Sequence, residues 1–225
     1  MLKPAATYDE LIARFRWAIP DRYNIAGSCC DAWAMAAPDR VCVIDALPSG
    51  DVETLSYRAL LDRANRLANA LTAQGIQPGD RVAIMLPQGR TVPVVHMAVY
   101  KMRCIAVPLA NLFGVDAIAF RLRDSGSAAL VTDAAGLAKV RAIAPDDSDR
   151  GRLLVSADGA DGDALDLEAL IASGSPGFVT ADTRADDPAM MIYTSGTTGN
   201  PKGALHAHRV LLGHLPGVQM PHEFL

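Results

Sequence analysis

Apolar positions change period at short intervals along this chain, and the changes divide it into alternating strands and helices. Thr7, with Glu10 three residues on, predicts a capped helix through about Trp17. Ile25 to Ala37 carries Cys29, Trp33 and Ala36 at helical spacing and stops before Pro38. Val41-Cys42-Val43-Ile44 and Val52-Glu53-Thr54-Leu55 read as a hairpin across Pro48-Ser49-Gly50. Ser56 caps the most regular helix, in which Leu60, Leu61, Ala64, Leu67, Ala68 and Leu71 form one apolar stripe that Gly75 ends.

Beyond the turn Gln77-Pro78-Gly79-Asp80 the alternation becomes regular. Arg81 to Leu86 is a strand, and residues 91–103 form a helix apolar nearly all round, the pattern of an element enclosed between layers. Strand Ile105–Pro108, helix Asp116–Arg123, strand Ala128–Thr132 and an Asp133-capped helix to about Ala144 follow. Leu153–Val155 is a strand, Leu165–Ala172 a short helix, and Ala189–Tyr193 a last strand. Residues 174–187 have no period and mark a possible subdomain boundary, although Phe178 and Val179 make a poor flexible linker. Strands alternating with helices predict an α/β fold, a mostly parallel sheet covered on both faces, with the strand ending near Thr194 inside it.

Composition narrows this picture. Half of the 225 residues are hydrophobic, which is ample for a core, and the net charge of -4 gives no basic footprint for nucleic acid. The most apolar stretch, Val92 to Met102, is interrupted by His96 and Lys101 and is too short to span a bilayer. Met1-Leu2-Lys3-Pro4 meets Asp9 and Glu10 before any apolar run, unlike a signal peptide. Cys29, Cys30, Cys42 and Cys104 form no Cys-x-x-Cys pair, so free thiols and a cytoplasmic location are expected. Oligomeric state is not legible.

The chemistry concentrates after that last strand, in Thr194-Ser195-Gly196-Thr197-Thr198-Gly199-Asn200-Pro201-Lys202-Gly203. Glycines allow a loop to turn successive backbone N–H groups toward an anion. Hydroxyls and the Lys202 ammonium add donors and charge, which together suit a phosphate. The P-loop pattern requires Gly-Lys-Ser/Thr four residues after a first glycine. Here Pro201 precedes Lys202 and Gly203 follows it, so that pattern is absent.

Thr194 to Gly203 resembles instead, without a gap, the phosphate loop of the AMP-forming acyl/adenylate synthetases: acyl-CoA synthetases, luciferases and peptide-synthetase adenylation domains. Phe15-Arg16-Trp17-Ala18-Ile19-Pro20 with Tyr23-Asn24-Ile25-Ala26 is similar to an amino-terminal signature of acetyl- and medium-chain acyl-CoA synthetases. The resemblance implies ATP, Mg²⁺ and coenzyme A as cofactors and a small carboxylic acid as substrate. The acid would be activated as an acyl-adenylate, with release of pyrophosphate, before transfer to the thiol. Thr194, Ser195, Gly196, Thr197, Thr198, Gly199, Lys202 and Gly203 would hold the β- and γ-phosphates, with Lys202 catalytic. No residue is assigned as a metal ligand. Ribose, adenine and lid residues would lie beyond Leu225, so residues 1–225 are expected to be the amino-terminal part of the large domain, without the lid, and inactive alone. The alternatives are a non-catalytic nucleotide- or phosphate-binding module, a scaffold with a vestigial loop, or an adenylating enzyme with another acyl acceptor.

Other candidates are weaker. His206, His208, His214 and His222 crowd the last twenty residues, and His206 and His208 would share a face of a strand. No zinc spacing or nearby cysteine supports a metal site, and flanking a helix start is the plainer reading. Ser195 lacks the Gly-x-Ser-x-Gly elbow of a serine nucleophile.

Overall fold

The computed structural model describes residues 3–144, 146, 151–194 and 200–221. Four of the described helices begin where a side chain caps them, the last being the helix from Leu167, where Asp166 accepts the Glu168 N–H. Thr7 Oγ1 accepts the Glu10 N–H and starts α1 (Tyr8–Arg14), and Ser56 Oγ accepts the Ala59 N–H and starts α3 (Tyr57–Ala73). Asp133 accepts the Gly136 N–H at the head of α6 (Ala134–Arg141). The first helix is shorter than its sequence suggests: Phe15 is already extended, and its ring meets Trp17 edge-on at 4.8 Å. Residues two apart do not face each other on a helix, so this contact belongs to extended chain.

The helix from residue 25 passes after Ala26 into a π-helical stretch, Gly27–Asp31, and continues as α2 (Ala32–Ala36). A hairpin of β1 (Val41–Ala46) and β2 (Val52–Ser56) stands apart as a two-stranded sheet. The main sheet contains β3 (Arg81–Met85), β4 (Ile105–Pro108), β5 (Ala129–Thr132), β6 (Leu153–Ser156), β7 (Leu165–Asp166), β8 (Pro188–Thr194) and β9 (Lys202–Ala207). Its order among the described residues is β7-β6-β5-β3-β4-β8-β9. Every pairing is parallel except β8 with β9. β8 therefore lies inside the sheet, as its apolar run predicts. The antiparallel β9 enters the sequence reading only as a conditional strand around His206, and residues 165–166 pair with β6 as a strand before α7 (Leu167–Ser173) begins.

Alternate residues of the parallel strands enter two cores on opposite faces. Val82, Ile84, Ala106, Val131 and Val155 pack with α3, α7 and α4 (Thr91–Lys101). Ala83, Met85, Val107 and Leu130 pack with Ile118 and Leu122 of α5 (Val115–Ser125). Burial on both faces is why these strands are short runs of apolar residues rather than alternating ones.

Residues 174–187 are irregular, as their composition predicts, and side chains distant in sequence hold them. Asn65 Nδ2 donates to Pro176 O at 2.8 Å, and Asn69 Nδ2 donates to the Ser175 and Gly177 carbonyls at 2.8 Å each. A Cβ at Gly174 would stand 2.0 Å from the Arg66 carbonyl oxygen, so only glycine lets the segment cross α3 this closely. Farther along, the Lys101 ammonium, 1% exposed, donates to Thr180 Oγ1 at 2.7 Å and pairs with Asp31, to which Thr180 also donates. This triad joins the π-helical turn, α4 and the 174–187 segment. Removing one partner of a buried pair strands the other charge. Asp31→Ala should therefore cost about 3 kcal/mol of unfolding free energy in urea, with Thr180→Ala costing less because the ion pair survives it.

Candidate functional site

The loop leaves the carboxyl end of β8, the edge of a parallel sheet beyond which ligands of open α/β folds bind. Thr194 and Lys202 are register partners where the loop opens, and Tyr193 pairs with Gly203 one step below. Thr194, Asn200 and Lys202 are exposed, and no described carboxylate forms an ion pair with Lys202. Of the candidate phosphate ligands, Thr194, Lys202 and Gly203 are thus brought together. Ser195, Gly196, Thr197, Thr198 and Gly199 lie outside the described residues.

Gly203 has a packing role. A Cβ there would meet Met191 Sδ at 2.9 Å and Tyr193 Cζ at 3.2 Å. The Tyr193 ring fills that space, and its hydroxyl donates to Asp124 Oδ2 of α5 at 2.6 Å. Burial, then the hydrogen bond to Asp124, raises the Tyr193 pKa well above the usual phenol value. Phe120 meets the same ring edge-on at 6.4 Å. The buried Arg121 guanidinium lies 4.0 Å over the Phe113 ring and 5.6 Å from that of Tyr193. The sequence reading took Tyr193 only as the end of a strand. An acidic residue in the last turn of a helix, where the negative end of the dipole disfavours it, is the local signal that could have drawn notice to Asp124.

The far end of the hairpin is pinned by His208, which lies in the turn after β9 rather than on the strand face of His206. His208 is fully buried, its Nδ1 accepts the Ile25 N–H at 3.2 Å, and its Nε2 has no partner among the described residues. It precedes α8 (Val210–Gln219), as expected of a residue at a helix start. Among the described residues no three His, Cys, Asp or Glu side chains stand together as metal ligands. The described part of the loop offers a hydroxyl, an ammonium and backbone groups but no carboxylate, a set suited to phosphate oxygens rather than to a divalent cation.

Elsewhere, a cleft of about 410 Å³ lies beyond the carboxyl ends of β3, β5 and β6. Its carboxylates are engaged: Asp45 accepts the Arg90 N–H at 3.0 Å, Asp133 caps α6, and Asp158 accepts the Ala134 N–H at 2.8 Å. The four cysteines are free thiols, and burial pushes Cys30 and Cys104 up to about 12. No helix among the described residues is long and apolar enough to cross a membrane.

The family of AMP-binding enzymes matches residues 30–224. The chain belongs to that family. It is 27% identical over 237 aligned residues to an acetyl-coenzyme A synthetase of Shewanella oneidensis, covering 97% of this chain and 36% of that protein. It is 30% identical over 169 residues to an uncharacterized acyl–CoA ligase of Bacillus subtilis, covering 74% of this chain and 31% of the relative. A crystal structure of a Brucella canis acyl-CoA synthetase superposes with a TM-score of 0.83 at 24% identity, covering 94% of this chain and 40% of that one. The inhibitor-bound amino-terminal domain of FACL13 from Mycobacterium tuberculosis gives 0.71 at 30% identity, covering 84% and 45%. The chain thus spans about a third of the length of these curated relatives and has the fold of the amino-terminal domains of adenylate-forming enzymes.

Burial holds the His208 pKa down at about 4, with Asp187 opposing weakly, and burial also holds His96 at about 4. A proton on His208 Nδ1 would face the Ile25 N–H, donor against donor. Because the folded pKa lies below the unfolded value of 6.5, this stability is complete above pH 6.5 and is lost as pH falls toward 4. Unfolding free energy should decline across that window by up to about 1.4 kcal/mol per pH unit for each histidine. His208→Asn, which keeps an acceptor for Ile25, should remove one proton from that slope in urea titrations at several pH values.

Proposed function

We propose that the protein containing this chain is an ATP-dependent acid–thiol ligase that activates a small carboxylic acid as its acyl-adenylate and passes the acyl group to coenzyme A. This chain contributes the phosphate loop. The observation that carries the reading is the exposed Thr194–Lys202 pair at the carboxyl end of β8, the first and ninth residues of a ten-residue motif within an AMP-binding enzyme. The acetyl-coenzyme A synthetase and acyl–CoA ligase relatives support the substrate and acceptor classes.

In this reading Thr194, Ser195, Thr197, Thr198 and Lys202 hold the β- and γ-phosphates, while Gly196, Gly199 and Gly203 give the backbone the turns and close approach it needs. Bound ATP supplies the activated phosphorus and Mg²⁺ screens its charge. The chain's own part is electrostatic. The Lys202 ammonium and the loop hydroxyls would meet the negative charge that gathers as pyrophosphate separates, and donors held ready there lower the barrier without reorganising. Their grip on the far phosphates also helps to hold the α-phosphate in line with the carboxylate.

In the full-length protein Lys202→Ala should slow acid-dependent pyrophosphate release by about 100-fold, the usual worth of one preorganised charged donor. The melting temperature should hardly move, because Lys202 is exposed and unpaired among the described residues. Unchanged release would remove Lys202 from the chemistry. Residues 1–225 alone should yield no acyl-CoA from ATP, Mg²⁺, coenzyme A and a panel of short and medium-chain acids, since a phosphate loop alone leaves the α-phosphate unpositioned. Turnover above a Lys202→Ala control would contradict this.

A further inference from the structure

The loop has an anchor outside its own motif. Tyr193 immediately precedes Thr194, and its partner Gly203 immediately follows Lys202, so one cross-strand pair lies directly beneath the loop mouth. The Tyr193 ring occupies the space that a Cβ at Gly203 would need, 3.2 Å from Cζ. Its hydroxyl donates to Asp124 in the last turn of α5. That placement is locally unfavourable for a carboxylate. The Tyr193 O–H that Asp124 accepts offsets it.

Among the described residues β9 pairs with β8 alone, so nothing beyond β9 fixes how far the hairpin tip tilts from the sheet. Tyr193 supplies that restraint, tying the tip to a helix packed across the sheet face. We infer that the Tyr193–Asp124 hydrogen bond is a positioning contact for the phosphate loop, setting where Thr194 and Lys202 meet the pyrophosphate end of ATP. This rests on the function proposed above. The contact touches no substrate and acts through Thr194 and Lys202. A phosphate ligand displaced by a fraction of an ångström loses most where charge develops.

The test uses the full-length protein and acid-dependent exchange of pyrophosphate into ATP, with melting temperatures recorded in parallel. Tyr193→Phe keeps the ring on Gly203 and removes only the hydroxyl. It should lower kcat/KM for ATP about tenfold, the lower end for a hydrogen bond to a charged acceptor because Asp124 is exposed. Asp124→Ala should match it, and the double variant Tyr193→Phe/Asp124→Ala should be no worse than either alone, as for two halves of one contact. Asp124→Asn retains an acceptor and should stay within about threefold of wild type.

Lys202→Ala separates the two claims. If it slows exchange while Tyr193→Phe and Asp124→Ala remain at wild-type rates, the positioning role is overturned and the function stands. If the two single losses multiply in the double variant, the groups act separately and the inference is likewise overturned. A lower melting temperature with unchanged exchange per folded molecule makes the contact merely structural, against the inference. If wild type shows no acid-dependent exchange, or Lys202→Ala equals wild type, the function falls and the inference falls with it.

Discussion

The position of the candidate site depends on how β8 is held, because β9 pairs with no other described strand. β8 is tied to β4 on one side and buries Ala189, while β9 has half its residues exposed and none buried. A phosphate ligand on such a strand is only as well placed as the hairpin beneath it. Two restraints act at opposite ends. At the tip, Tyr193 fills the space over Gly203 and reaches Asp124. At the base, His208 is buried against Ile25, and the Arg209 N–H donates to the Ala185 carbonyl at 2.9 Å. Neither restraint needs to touch a ligand to matter to one.

The base restraint in turn leans on the 174–187 segment, since Ala185 and Asp187 accept from the chain just after β9. That segment is itself fastened to α3 by Asn65 and Asn69 and to α4 by the Lys101–Asp31–Thr180 triad. A continuous series of polar contacts, with the Lys101 ammonium buried within it, therefore runs from the π-helical turn to the hairpin that presents the loop. Such contacts are costly when broken singly, which favours one arrangement of the chain over its near alternatives.

What could be read from the sequence was local. Thr7, Ser56 and Asp133 cap helices through hydrogen bonds three residues long, and the apolar strands sit inside the sheet because both their faces are covered. The loop motif was legible as an ordered pattern of residue types that suits one ligand chemistry. What could not be read depends on distance. Lys202 to Ala207 is an exposed edge strand with no clean alternation, so it shows no period until β8 is placed beside it. Residues 174–187 have no period because their order comes from side chains more than a hundred positions away. Tyr193 and Asp124 are 69 residues apart, and neither looks unusual without the other.

The central claim is that phosphate oxygens of ATP settle on the backbone and side chains between Thr194 and Gly203. Amide hydrogen exchange of the full-length protein, with and without ATP, tests it most directly. Phosphates held by the loop predict slowed exchange of peptides spanning residues 193–204 in the presence of ATP, and much less slowing in Lys202→Ala. Unchanged exchange across 193–204, with protection appearing instead around the cleft formed by residues 45–48, 86–91 and 157–158, would contradict the account.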